Sequence, residues 1–207
     1  MPVIIDYDVG NLDSVQRGFQ RMGVETVVSG DPAVIAEANA LILPGVGAFK
    51  KAMESLQASG LIPHLMRHVE AGKPLLGICL GMQLLYEDST EFGHTAGLGL
   101  LKGSVKPLES GLKVPHMGWN ALRLIQPDHP LLSYVNAGEY VYFVHSFYAD
   151  SPTEDVLAYT DYGVAIPAVV GRKNVYGTQF HPEKSADVGL RLLKGFGVIH
   201  DDYLSSH

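Results

Sequence analysis

The chain has 207 residues and a mass of 22.4 kDa, and its 46% hydrophobic and 18% charged residues supply ample material for a buried core. That balance suits one domain and excludes disordered, collagen-like and low-complexity classes. Fifteen Lys and Arg against 22 Asp and Glu give a net charge of −7, which argues against a nucleic-acid groove or an anionic membrane surface as partner.

The first half alternates strand-like and helix-like segments. Val3 to Tyr7 reads as a short apolar strand, after which Asn11 can cap a helix that carries Val15, Phe19 and Met22 on one face and stops at Gly23. Val24 to Val28 reads as a second strand, and Gly30-Asp31-Pro32 as a turn, an N-cap and a first helical position. Ala40 to Leu43 is a third strand leading into Pro44-Gly45-Val46-Gly47. Helical spacing follows at Phe49, Met53 and Leu56, and again at Ile62, Leu65, Met66 and Val69. Pro74 to Ile78 is a fourth strand, apolar throughout, as expected for a strand covered on both faces. Strands joined by helices imply right-handed crossovers and a parallel sheet. From about Leu98 to Gln179, short segments alternate with Gly, Pro, Asn and Asp turns, which predicts an antiparallel portion. Asp187 to Phe196 reads as a closing helix. No linker or repeat divides the chain, so residues 1–207 are expected to form one domain. No run approaches the ~20 apolar residues of a membrane span. The opening Met1-Pro2-Val3-Ile4-Ile5-Asp6 lacks a basic, cleavable leader, and a reduced, cytoplasmic setting is expected.

One cysteine excludes a disulfide framework and a Cys-rich zinc site, and makes that residue the one to interrogate. Cys79 lies in Gly77-Ile78-Cys79-Leu80-Gly81, between a strand and a helix. This is the G-x-nucleophile-x-G elbow with sulfur in place of a hydroxyl. Free cysteines are more often small buried hydrophobes, but a helix starting here favours negative charge on the sulfur. Gln179-Phe180-His181-Pro182-Glu183 lies about a hundred residues downstream. Pro182 holds His181 extended, which points His181 and Glu183 to one side. Glu183 can then orient one ring nitrogen and leave the other for a thiol. His-Pro-Glu alone is a common turn; its pairing with the elbow raises it to a candidate base and orienter. The glycines of Pro44-Gly45-Val46-Gly47 suit either an ordinary strand-to-helix turn or an oxyanion pocket shared with the Leu80 N–H. His64 and His68 stand four apart on a helix without a third ligand in pattern, so no metal is expected. Gly93, Gly97 and Gly99 lack the strand and helix of a nucleotide site.

These motifs together resemble the class I (triad-type) glutamine amidotransferases. More narrowly, the chain is similar to the glutaminase subunits of imidazole glycerol phosphate synthase from histidine biosynthesis. The general likeness rests on Gly77-Ile78-Cys79-Leu80-Gly81-Met82-Gln83 with His181-Pro182-Glu183. The narrower one rests on Pro44-Gly45-Val46-Gly47, Pro115-His116-Met117-Gly118-Trp119-Asn120, Tyr142-Phe143-Val144-His145-Ser146 and Gln179 to Ser185. The resemblance implies a flavodoxin-like α/β fold, with a mostly parallel sheet, helices on both faces and an antiparallel addition. It implies Cys79 as nucleophile, His181 as base, Glu183 as orienter, and Val46, Gly47 and Leu80 around the oxyanion. It places Gly47, Gln83, Glu91, His145 and Ser146 at glutamine-binding positions, with Glu91 suited to the α-ammonium group. No cofactor is implied. The implied partner is a (βα)8-barrel cyclase subunit, forming a heterodimer, and Asn11, Trp119, Asn120, Tyr142 and Lys184 match positions at or near that interface. Trp119 by itself suits a core or a partner surface. Phe147 and Ile166-Pro167 depart from the family pattern, where tyrosine and a Phe- and Ala-rich stretch are commoner. A cysteine peptidase on the same elbow would have no use for Gln83 or Glu91.

Overall fold

A computed structural model describes residues 1–206. The first half runs β1 (Pro2–Ile5), α1 (Leu12–Arg21), β2 (Val27–Ser29), α2 (Pro32–Glu37), β3 (Ala40–Leu43), α3 (Phe49–Ala58), α4 (Ile62–Glu70), β4 (Leu75–Ile78) and α5 (Leu80–Leu84). Short strands follow: β5 (Asp88–Ser89), β6 (Thr95–Ala96), β7 (Ser104–Pro107), β8 (His116–Ala121) and β9 (Arg123–Leu124). The chain closes with β10 (Tyr140–His145), β11 (Phe147–Asp150), β12 (Val156–Asp161), β13 (Ala165–Arg172), β14 (Val175–Thr178) and α6 (Ala186–Ser205).

The central sheet has the order β2-β1-β3-β4-β14-β13-β12-β9. Its first five strands are mutually parallel, and β13, β12 and β9 continue it antiparallel. β10 and β8 form a separate antiparallel ribbon, and β11-β7-β5-β6 a small second sheet. The predicted antiparallel portion is therefore present both as an extension of the main sheet and as separate sheets. β14 differs from expectation. It is antiparallel only toward β13 and lies parallel to β4, with Gly177 opposite Gly77 and Thr178 opposite Ile78. That register brings the ends of β4 and β14 together.

Both sheet faces are covered. Val3, Ile5, Leu41 and Leu75 pack with Phe49, Leu56 and Leu65 of α3 and α4. On the other face, Ile4, Ile42 and Ile78 pack with Val15, Phe19, Leu193 and Phe196 of α1 and α6. Each such side chain contributes about 1.5–3 kcal/mol on full burial. The Asn11 side chain caps α1 by accepting from Ser14 N, and Asp31 caps α2 by accepting from Ala33 N, as their sequences predict.

Two boundaries differ from the sequence reading. The strand expected at Val24 to Val28 is confined to Val27–Ser29, because Val24 N closes the end of α1 on the Phe19 carbonyl. The closing helix runs nine residues past Phe196, through Gly195 and Gly197. Gly195 is there for proximity: a Cβ would sit 2.5 Å from the Leu131 carbonyl oxygen. Among the described residues, no helix is long and apolar enough to cross a membrane.

Candidate active site

Cys79 follows β4 with φ 54° and ψ −111°, a left-handed conformation that costs a non-glycine residue on the order of 1–3 kcal/mol. The Cys79 N–H donates to the Thr178 carbonyl at 2.7 Å, which ties the elbow to β14. The flanking glycines are required by close approach. A Cβ on Gly81 would lie 1.8 Å from the Leu43 carbonyl oxygen, and one on Gly77 would lie 2.6 Å from Met82 Cα. Leu80 starts α5, where first-turn amides have no acceptor within the helix.

Beyond β14, His181 is extended at φ −96° and ψ 101°, as the following Pro182 predicts. His181 Nδ1 lies 2.8 Å from Glu183 Oε1, with the two side chains only 4% and 2% exposed. Among the described residues, Glu183 Oε2 is buried without a hydrogen-bond partner, and the ring is the partner of its other oxygen. Burial by itself would lower the His181 pKa. A side-chain hydrogen bond with Cys79, the bond to Glu183 and the charges of both outweigh it, and the pKa is raised to about 10. The ring therefore holds its proton at neutral pH, and Cys79 is among the neighbours that raise its pKa. The segment is pinned from β10: His181 N donates to the Tyr142 carbonyl, Tyr142 N to Ser185 Oγ, and Ser185 Oγ to the His181 carbonyl.

Cys79 and His181 line one cavity of ≈470 Å³ together with Val46, Gly47, Leu80, Gln83, Glu91, His145, Ser146 and Lys184. The expected catalytic, oxyanion and substrate residues thus meet there, apart from Glu183, which lies behind His181. Val46 is 45% exposed, and Gly47 has φ +96°. Gln83 is buried, and its Nε2 donates to the Phe147 carbonyl and to Gln179 Oε1, each at 3.0 Å. Glu91 is not a free carboxylate. Its Oε2 accepts from Phe49 N at 2.7 Å and caps α3, whose own N-cap Ala48 offers no side-chain acceptor.

Several residues here went unassigned in the sequence. Gln179 is fully buried and directs Nε2 at Cys79 Sγ, 3.9 Å away. His116 contacts His145, and Tyr7 Oη donates to the Pro44 carbonyl at 2.6 Å beneath the Gly45–Gly47 turn. Phe92, at 88% exposed, stands at the cavity rim with its ring edge-on to Phe147. The Gln179 motif and the Pro44 loop were visible as signatures, but nothing local marked these contacts.

The five expected interface residues separate by position. Trp119 is 52% exposed and edge-on to Tyr142 across the β8–β10 ribbon, which removes the core alternative for that side chain. Asn11 and Lys184 are exposed. Asn120 is engaged within the chain, where its Nδ2 donates to the Asp161 carbonyl at 2.8 Å. His64 Nδ1 pairs with Arg67, and His68 Nε2 with the Pro74 carbonyl.

The family model for class-I glutamine amidotransferases matches residues 3–198. Imidazole glycerol phosphate synthase subunit HisH of Lacticaseibacillus casei is 53% identical over 204 residues, covering 98% of this chain and 97% of that protein. The protein of the same name from Bacillus cereus is 47% identical over 206 residues, covering 100% and 98%. A solved structure of PurLQS from Thermotoga maritima aligns with a TM-score of 0.74 at 22% identity, over 98% of each chain, and shares the fold. The chain belongs to the class-I glutamine amidotransferase family, in the group of imidazole glycerol phosphate synthase HisH subunits.

Proposed function

We propose that this chain is the glutaminase subunit of an imidazole glycerol phosphate synthase, acting in the cytoplasm as one continuous domain. It hydrolyses L-glutamine to L-glutamate and ammonia. The ammonia passes to a (βα)8-barrel cyclase subunit, which forms imidazole glycerol phosphate and aminoimidazole carboxamide ribonucleotide on the route to histidine. The observation that carries the reading is the convergence of Cys79 and His181, the latter backed by a buried Glu183, in one cavity with Gln83 and Glu91, in a chain about half identical to HisH relatives along its length.

The chemistry follows from the groups present. Cys79 Sγ, its proton passed to His181, attacks the substrate's carboxamide carbon, and the Leu80 N–H with the Val46–Gly47 turn stabilises the oxyanion. The C–N bond breaks as His181 gives its proton to the departing nitrogen, leaving a thioester and ammonia. His181, now neutral, takes a proton from water, which attacks the thioester, releases glutamate and returns the pair to its starting state. Glu183 holds the ring in one orientation and supports its positive charge. The Gln83 amide and the Glu91 carboxylate bind the glutamine head group. Ammonia released into neutral water would be protonated and lose its nucleophilicity, so a sheltered passage to a docked synthase fits the chemistry. The exposed Trp119 with Tyr142, and Lys184 in the cavity lining, suit the docking side.

Cys79→Ala tests the assignment in a reconstituted complex with the cyclase and its nucleotide ligand. Glutamine-driven turnover is expected to vanish, while turnover driven by added ammonium salt survives. Persistent glutamine-driven turnover would remove Cys79 as nucleophile. Cleavage of peptides without stimulation by the cyclase would overturn the glutaminase reading.

A further inference from the structure

The β8–β10 ribbon carries a buried pair of imidazoles, and the reaction described above gives His116 no part. His116 Nδ1 lies 3.0 Å from His145 Nε2, and His145 Nδ1 lies 2.9 Å from the Phe147 carbonyl oxygen. The His116 ring is stacked between Phe143 and Tyr162, with centroids 4.8 and 3.9 Å away. Burial lowers the pKa of each ring to about 4, so both are neutral at physiological pH. A carbonyl oxygen only accepts, so His145 Nδ1 carries that ring's proton. His145 Nε2 is then a bare acceptor, and His116 Nδ1 must be the donor to it. The tautomers of both rings follow from this single fixed end.

The chain of hydrogen bonds continues past Phe147. Its carbonyl takes a second donor, Gln83 Nε2. The same amino group donates to Gln179 Oε1, and Gln179 Nε2 donates to Cys79 Sγ. Reversing the Gln83 amide would set its oxygen against two other oxygens. Gln83 is therefore held with its nitrogen toward this wall, which leaves Oε1 as the atom it can offer a ligand. We propose that His116 is a positioning residue for glutamine binding: through His145 it fixes the place of the Phe147 carbonyl, which with Gln179 Oε1 holds Gln83 so that it presents an acceptor, not a donor, to the N–H groups of the substrate. The inference rests on the glutaminase reading for its ligand. The hydrogen-bond chain itself stands on the geometry.

Two substitutions separate positioning from packing. His116→Phe keeps a flat ring in the Phe143–Tyr162 stack and removes the donor. His116→Asn removes the ring and keeps an N–H near the place of Nδ1. Glutamine hydrolysis is measured with the cyclase and its ligand, and ammonium-driven turnover shows that the complex is intact. His116→Phe is expected to raise KM for glutamine about tenfold with a smaller change in kcat, the worth of roughly one hydrogen bond to a buried group. His116→Asn is expected to recover most of that loss. A wild-type KM in His116→Phe, or an Asn variant no better than the Phe variant, overturns the proposal, because a packing role ranks the two the other way. A second measurement needs no activity. Nitrogen-15 spectra of the histidine-labelled chain are expected to place both protons on Nδ1, and an Nε2–H tautomer at either ring would overturn the chain. Absence of glutamine hydrolysis in the unsubstituted complex would instead defeat the functional reading, while the spectra still decide the tautomers.

Discussion

Glu183→Gln isolates the charge behind the His181 imidazole. The amide keeps an acceptor 2.8 Å from His181 Nδ1 in a site where both side chains are almost fully buried, so shape and orientation survive and only the negative charge is lost. A hydrogen bond to an ionised group is worth about 1.5–3 kcal/mol and a neutral one about 1 kcal/mol, a difference of roughly 1–2 kcal/mol. A Coulomb estimate at an effective dielectric of ~20 and a charge separation of ~4 Å gives an upper bound of about 4 kcal/mol. At 1.36 kcal/mol per pKa unit, the ring's pKa falls by about one to three units. The wild-type ring, raised to about 10, stays protonated through the neutral range and loses its proton only as pH climbs through that value. In the proposed reaction, departure of ammonia needs the protonated ring. The pH profile of glutamate release should therefore show an alkaline limb near 10 in the wild type and one shifted down by about one to three units in Glu183→Gln. The profile is read with the cyclase and its ligand present, against an ammonium-driven control for the partner's own pH dependence. An alkaline limb that stays in place, or moves upward, refutes the assignment of Glu183 as a source of the ring's basicity.

Other outcomes follow from single contacts. Gly81→Ala places a Cβ 1.8 Å from the Leu43 carbonyl oxygen and forces β3 and α5 apart. A loss of at least about 3 kcal/mol in urea unfolding is expected, and a normal midpoint would show that the elbow yields easily. Tyr7→Phe removes the donor to the Pro44 carbonyl. A stability loss of about 1–2 kcal/mol, or roughly 3–6 °C in Tm, is expected, and an unchanged Tm would show that water or another group satisfies that carbonyl. Acid should destabilise the fold above the range where carboxylates titrate. His68, His116 and His145 are each held to about 4 by burial, so the unfolded chain binds more protons than the native one below about 6.5. Their contribution is complete above pH 6.5 and lost as pH falls toward 4. A Tm that is flat over that interval would mean that these rings are not buried neutral.

Local patterns were readable from the sequence wherever a few neighbouring residues dictate geometry. Asn11 and Asp31 act as the caps their positions predict. Gly77, Cys79 and Gly81 announce a turn that only glycine flanks permit, and Pro182 fixes the extended His181 that points toward Glu183. The misreadings have an equally local cause. Val24 is apolar and β-branched, but its N–H closes α1 and its side chain fills the space beside Gly197 in α6, so the apolar run does not measure the strand. The helix read as ending at Phe196 continues to Ser205, and within it Gly195 makes a close approach to the Leu131 carbonyl. What stayed hidden spans long stretches of chain: Gln83 meets Gln179 across 96 residues, Gln179 meets Cys79 across 100, and His116 meets His145 across 29. Helical and strand periodicity report neighbours three, four or two positions away, and carry no trace of such pairs. Only the family resemblance placed Glu91 at the site, and its capping of α3 was not legible at all, because the missing cap at Ala48 is visible only once the two segments meet.

The placement of β14 explains how these distant pieces are held together. A parallel strand beside β4 needs a long crossover, and here the crossover contains the β8–β10 ribbon as well as the outer antiparallel strands. The two strand ends then deliver Cys79 and His181 to the same end of the sheet, the usual location of ligand sites in open α/β sheets. β10 borders both. Its Tyr142 carbonyl receives the His181 N–H, and its Val144 carbonyl faces Cys79 Sγ at 4.0 Å. Tyr142 also turns its ring to the exposed Trp119. A displacement of β10 by a docked partner would therefore act on the backbone that holds the imidazole and on the carbonyl beside the sulfur at once. It would reach Gln83 by a separate route, through His145 and Phe147. Coupling between the proposed docking surface and the proposed nucleophile would need no long path, because one six-residue strand borders both.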